Sequence, residues 1–298
     1  MTAMRSVTLP PDTPVARRLL SAMQVVHWRN TAVLIVLLVG AVLMLLPFFW
    51  MFATSMRPAG EAYQLPPSFL PDDIRLDSYR ELFASPVPFL RMYWNSFVVA
   101  AVTTIGVIIT SAMAAFAFSR TRFPGKNLLF ASMLLGLMVP PALLLIPLFF
   151  GMASVGIVDS IWALILPAMT NPLAVFMMRQ FMRSQPREYE ESAFVDGASY
   201  WTIFWRISLP QMGPPIAALS IIVFTSSWNN FLLPLVFVRS FEAMTLPVGI
   251  LSLESSFGGA ALSIIMAAVT VAVLPLFVVF LIAQRFIIES IASTGVKK

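Results

Sequence analysis

The sequence predicts an all-α, polytopic membrane protein with six transmembrane helices and an N-in/C-in orientation. Three observations carry that prediction. The 298-residue chain is 59% hydrophobic and 11% charged, with mean hydropathy +0.86, whereas charged residues make up about a quarter of a soluble domain. Six stretches (Ala32 to Ser55, Tyr93 to Ser119, Leu128 to Phe150, Ile161 to Met178, Gln211 to Val238 and Ala260 to Ile282) hold no Asp, Glu, Lys, Arg or His. Each approaches or exceeds the roughly 17–25 residues that cross a bilayer core. Of the 19 Lys and Arg residues, fourteen fall in segments that are cytoplasmic when the N-terminus is inside, and five in the outer ones, which is the positive-inside pattern.

In chain order, residues 1–30 are a cytoplasmic arm without the apolar core of a secretory signal. Val15 to Trp28 reads either as a short basic interfacial helix or as an arm held to the lipid by charge. Residues 31–56 are the first spanning helix, and 57–91 an external loop rich in proline and in charges of both signs. A loop of this length is either a surface for an external partner or a cap on the helix ends. Residues 92–285 form the core, with five further spanning helices and a cytoplasmic loop over 179–210. Ile161 to Met178 is the shortest span and contains Pro167 and Pro172. Residues 286–298 are a cytoplasmic tail.

The loop holds a dense polar island. Pro186 fits the first position of a helix, and Glu188, Glu190 and Glu191 fall in its first turns, where carboxylates favour the macrodipole. Asp196-Gly197 ends that helix, Gly197 supplying the left-handed conformation of the cap. Ser199 caps a second helix, Tyr200 to Leu209, which Pro210 closes. There Trp201, Phe204, Trp205 and Ser208 share one face, with Ile203 and Ile207 on another. So apolar a helix must bury itself against protein or headgroups. Its residues alone leave two readings, a linker between spans or a platform offered to a protein in the aqueous phase.

Glu191-Ser192-Ala193, then Gly197, nine residues and Ile207-Ser208-Leu209-Pro210 together resemble the "EAA" loop of ABC-importer permeases. Asn95-Ser96, Ala114 to Arg120, Arg122 to Lys126, Leu166-Pro167, Arg179-Gln180-Phe181 and Trp228 to Leu235 are similar to that family as well. The likeness runs from about Asn30 to the C-terminus and is greatest to the maltose-type carbohydrate branch. Ser192 stands where Ala is usual, and is small enough to keep close packing. The resemblance implies the type I importer permease fold. It also implies an ATPase-docking role for Glu190, Glu191, Ser192, Ala193, Asp196, Gly197, Ile207, Leu209 and Pro210. The partners implied are a second permease subunit, two ATP-binding subunits that hold ATP and Mg, and an external solute-binding protein, assembled in the bacterial cytoplasmic (inner) membrane. This chain then has no cofactor of its own.

Composition narrows the chemistry independently. The absence of cysteine removes thiol catalysis and cysteine-ligated metals, and His27, the one histidine, makes no metal site. No span carries an ionisable residue, which argues against ion-coupled carriers. Gly125-Lys126 is followed by Asn127 and lacks P-loop spacing, so no ATPase motor and no catalytic residue is expected here. The net charge of +5 reflects topology, not a nucleic-acid surface. Prolines interrupt most spans, Pro140-Pro141 among them, as in helices that line cavities. Asn95, Asn171, Asn229 and Asn230 add amides near membrane depth, with interhelical hydrogen bonding as one reading. Trp228, Asn229 and Asn230 are the candidate translocation pathway, because an indole face beside two amides suits a hydroxyl-rich solute. The expected function is the permease subunit of an ATP-driven, binding-protein-dependent importer for a sugar, oligosaccharide or sugar derivative. A permease for polyamine or another small polar solute is the alternative, and a passive channel or membrane scaffold is the reading from a different class.

Overall fold

The computed structural model describes residues 14–58, 70, 73–257 and 262–295, with side chains over 30–58, 70, 73–257 and 262–282. Among these, all regular structure is helical. The first helix, α1 (Pro14–Ser55), is continuous through residues 14–29, where the sequence left helix and arm open. Its spanning part exposes apolar side chains along its length, with Val36 at 70% and Met44 at 77%. It packs along the last helix, α13 (Leu262–Gly295). So long an apolar stripe on one chain is a surface for lipid or for another subunit's helices.

The described part of the external loop lies on the helix ends. There α2 (Asp77–Ala84) buries Ser78 and Leu82, and Tyr79 Oη sits 2.8 Å from Ser55 Oγ. Most of its proline-rich stretch, residues 59–69 with 71 and 72, lies outside the described residues. Next, α3 (Phe89–Arg120) is the hub of the bundle and packs against α7 (Pro172–Ser184) and α10 (Gly213–Trp228). Asn95 donates its amide to the carbonyls of Glu242 and Met244, both at 2.9 Å, and Ser96 Oγ accepts from Leu246 N–H at 2.8 Å. Asn95 therefore acts as glue between segments.

Two of the expected spans are not straight. Leu128 to Phe150 divides into α4 (Lys126–Leu135), a short 3₁₀ turn, and α5 (Pro141–Ser154), which meet at 107°. Val139 and Pro140 each precede a proline, which disfavours the helical region, and they sit at ψ 119° and 128°. Ile161 to Met178 divides into α6 (Ile161–Ala168) and α7 at 41°. Asn171, ahead of Pro172, is extended at ψ 101°, and its side chain caps α7 by accepting from Ala174 N–H at 3.0 Å. With each bent pair counted as one, the bundle has six apolar spans.

The fifth span also departs from expectation. Gln211 to Val238 reads as one helix, yet α10 stops at Trp228 and a separate turn, α11 (Leu232–Phe237), follows Asn229 to Phe231. Sequence reading assigned no element to Leu246–Phe257. It is α12, too short to span, which buries Leu246, Val248 and Leu253. The sixth span begins by Leu262, Ala260 lying outside the described residues, and its helix runs on through 286–295, which had been expected as a separate tail. Two hydrophobic cores result. One joins the outer ends, with Met92, Leu164, Trp228 and Phe237, and the other, with Val107, Met178, Ile203 and Phe204, ties the island to the spans.

Outside the spans, Asp159 is held in the left-handed region at φ 62° by a convergence of donors. Its Oδ1 accepts from Arg239 N–H at 2.8 Å, Ser240 N–H at 2.9 Å and Ser240 O–H at 3.0 Å. The Ser240 and Arg239 backbone N–H groups, in that order, hold its carboxyl below the ordinary carboxylate range. A depressed folded-state pKa contributes stability above the unfolded value that is lost as pH falls through the folded one. Asp159→Asn is therefore expected to reduce melting temperature at neutral pH and to flatten its acid limb. A variant melting curve that runs parallel to wild type down to acid pH would remove this carboxylate as a source of acid sensitivity.

Candidate functional site

The polar island folds as two helices around a tight reversal. The first, α8 (Glu188–Val195), begins after Arg187, so Pro186 lies just outside the helix and not at its first position. It ends in a Schellman motif: Ala198 N–H reaches Ala193 O at 2.9 Å, and Gly197 N–H reaches Phe194 O at 3.0 Å. Gly197 sits at φ 79°, where a side chain is strained. A Cβ added there would meet nothing within 4 Å, so the glycine is required by its conformation alone. Ser199 Oγ then caps α9 (Tyr200–Ile203) by accepting from Thr202 N–H at 3.2 Å.

Pro210 does not close the second helix. After α9 the chain widens into a π turn over Phe204–Ser208, in which Leu209 N–H bonds Phe204 O at 2.9 Å, and then continues through Pro210–Met212 into α10. The extra residue per turn relieves the clash between the proline ring and the preceding carbonyls. It also rotates the stripe expected on one face. Ile203, Phe204 and Ser208 are buried, while Trp201 is 60% and Trp205 38% exposed.

Glu190 is the surprise of the island. Its carboxylate is not offered to solvent: Oε2 lies 2.6 Å from Arg120 Nε, with the two side chains 8% and 4% exposed, and Oε1 accepts from Ser208 O–H at 2.9 Å. One buried carboxylate thus ties α8 to the inner end of α3 and to the π turn that leads into α10. Arg187 and Arg179 add bonds to the last carbonyls of α3, at Ser119 and Phe118, where cations suit the negative end of the macrodipole. Arg179 also lies 3.9 Å over the ring of Phe130. Arg120 and Ser208 escaped sequence reading as partners of Glu190 because nothing in their spacing reveals a contact between distant segments.

The other expected docking residues divide by exposure. Glu191, Ser192, Asp196, Gly197 and Pro210 are exposed, and Ala193, Ile207 and Leu209 are half-buried on the inner core. Tyr189 and Val195, which sequence reading did not single out, stand 64% and 88% exposed on the same helix.

The pathway candidates separate as well. Trp228 is buried, stacked on Phe224 and edge-on to Tyr93, with its indole N–H donated to Ala272 O at 3.1 Å. It is a core residue and offers no free face, which corrects the expectation. Asn229 is exposed at the end of α10. Asn230 lines a cavity of about 370 Å³ between α3, α10 and the break of α6 and α7. Ser96, Thr103, Asn171, Ser226 and Thr245 join it there, none of them singled out from sequence for this role. Among the described residues no three His, Asp or Glu side chains converge as metal ligands would.

The family described as binding-protein-dependent transport system inner membrane component matches residues 106–293. The chain belongs to this family. It is 34% identical over 259 residues to the arabinooligosaccharides transport system permease protein AraQ of Bacillus subtilis (strain 168), covering 86% of this chain and 92% of that one. It is 31% identical to the sn-glycerol-3-phosphate transport system permease protein UgpE of Yersinia enterocolitica, covering 87% of this chain and 95% of the relative. A chain of the bacterial ABC transporter involved in import of the acidic polysaccharide alginate superposes with TM-score 0.76 at 22% identity, covering 86% of this chain and 96% of that one. A chain of a bacterial alginate ABC transporter in complex with an alginate pentasaccharide-bound periplasmic protein superposes with TM-score 0.61 at 18% identity, over 86% of this chain and 94% of that one. The fold is that of a type I importer permease, and the chain is a multi-pass transport permease of a binding-protein-dependent system.

Proposed function

We propose that this chain pairs with a second permease subunit in the bacterial inner membrane and imports a sugar, oligosaccharide or sugar derivative at the expense of ATP. Two ATP-binding subunits, which hold ATP and Mg, dock on the island, and an external solute-binding protein delivers the solute. The observation that carries this reading is the island's construction, an exposed edge at Glu191, Val195, Asp196 and Gly197 anchored by buried Glu190 to two spans. ATP binding draws the ATP-binding subunits together, the island moves with them, and Arg120 and Ser208 pass the displacement to α3 and α10 as a rigid-body switch between inward and outward states. Hydrolysis belongs to the partner subunits, so this chain is not itself an enzyme.

A polyamine route is less favoured, because a polycation calls for carboxylates and the cavity lining contains none. The passive channel is separated by energy dependence. Vesicles carrying the chain with both permease and ATP-binding partners and the solute-binding protein are expected to accumulate labelled arabinotriose or trehalose only when ATP is supplied inside. Equal flux after ATP depletion would make the chain a channel and end the importer reading.

A further inference from the structure

Where α3 ends and α4 begins, cations converge from three segments. Arg122 and Lys126 come from the α3–α4 turn, Arg179 and Arg183 from α7, and Arg187 from the approach to α8. The Lys126 ammonium is under coulombic repulsion from all of the others. Among the described residues no carboxylate pairs with any of these cations, since buried Glu190 is taken by Arg120 and Ser208. Lys126, Arg179 and Arg187 each spend one donor on a carbonyl at the end of α3, at Thr121, Phe118 and Ser119. Those carbonyls are neutral, and a helix C-terminus supplies only about half an elementary charge. Nor does α4 account for Lys126, which opens that helix at the positive end of its macrodipole. Like charges held together in this way call for an anion.

The surroundings suit a lipid. Arg122, Phe123, Lys126, Asn127 and Leu128 line an open cavity of about 340 Å³. Leu128 and Leu129, 75% and 54% exposed, continue from it along α4. A phosphate seated among the cations therefore has an apolar helix surface beside it for acyl chains, which a soluble acidic protein would leave uncovered. The side is the one on which the chain's cations gather, that of the cytoplasmic leaflet, where basic pockets between spans suit anionic headgroups. We propose that the α3–α4 turn and the end of α7 form a headgroup site for an anionic phospholipid. Its phosphate is held by Arg122, Lys126, Arg179 and Arg183, and its chains lie on α4. The site does not depend on which solute the chain transports.

Photoactivatable phosphatidylglycerol or phosphatidylcholine, at equal content in nanodiscs holding the assembled transporter, tests it. After illumination, lipid on the peptide containing Leu128 and Leu129 is quantified by mass spectrometry. Phosphatidylglycerol is expected to label that peptide at least about fivefold more than phosphatidylcholine, the effect of one basic residue near an anionic surface. Peptides of α5 should take up both lipids equally. Arg122 and Arg183 are exposed, and their guanidinium groups bond to no described residue. Arg122→Gln/Arg183→Gln should therefore keep the wild-type melting temperature in detergent while lowering the preference at least about fivefold. Arg122→Lys/Arg183→Lys should keep most of it. Equal labelling by the two lipids in the wild type, or an unaltered preference in the glutamine variant, would overturn the site. So would displacement of the lipid by inorganic phosphate beyond that by chloride at the same ionic strength, which marks a site for the free anion. Loss of the ATP-binding subunit from the glutamine variant, with lipid labelling unaltered, would assign the cluster to a protein contact instead.

Discussion

Glu190→Ala is expected to cost the folded chain about 3–5 kcal/mol, the effect of removing one partner from a buried ion pair. Arg120 would be left charged and enclosed, with Gln185 O as the one remaining acceptor of its guanidinium at 3.2 Å. Against a total stability of roughly 5–15 kcal/mol, the loss should appear as a large drop in melting temperature in detergent. The double variant Glu190→Leu/Arg120→Met fills the same space without charge and is expected to recover most of that stability. It should not recover ATP-driven uptake. Thr103 lies about 25 Å up α3 from Arg120, at 1.5 Å per residue, and Ser208 leads into α10, which lines the same cavity. Glu190 holds the inner ends of both helices, so its loss should separate island movement from cavity movement. Stability restored together with normal uptake would reduce the ion pair to a fastening of the fold.

What the sequence made legible was local. The Schellman reversal at Gly197 and the cap at Ser199 depend on residues within five positions of each other, and both were readable from the chain. The bends were only partly readable. Prolines interrupt most spans, and the chain breaks at Pro140-Pro141 and before Pro172, at 107° and 41°. Pro47, Pro147, Pro167 and Pro275 lie inside continuous helices, because packing decides which proline becomes a bend and how far it turns. The stripe on the second island helix failed for a definite reason. A periodicity of 3.6 residues assumes an α-helix, and the π turn after Ile203 advances the register by one residue. Trp228 failed differently. Helix α10 is apolar around most of its circumference, so periodicity does not say which face meets the core, and the indole turned toward Ala272. The Glu190–Arg120 pair and the cavity at Thr103 and Thr245 both bring together distant segments, which spacing along one element cannot reveal.

Gly197→Asp is expected to abolish ATP-driven uptake while leaving the amount of inserted, folded chain close to wild type. The backbone at φ 79° costs an ordinary L-residue about 1–2 kcal/mol, and Asp is among the residues that adopt it most readily. No atom lies within 4 Å of the new Cβ, so this chain can absorb the substitution without repacking. The change falls on the outward face, where a carboxylate would join exposed Asp196 and Glu191 in the path of the docking subunit's backbone. Gly197→Ala separates the two effects, since it carries the backbone strain with little added bulk and no charge. It is expected to lower melting temperature slightly and to keep most of the uptake. The double variant Gly197→Asp/Glu191→Lys should further lose the ATP-binding subunit on purification of the complex, because both changes lie on the exposed edge and neither touches the Glu190 anchor. Normal uptake by Gly197→Asp, with the ATP-binding subunit retained by the double variant, would move docking away from this edge and leave the island as a linker between spans.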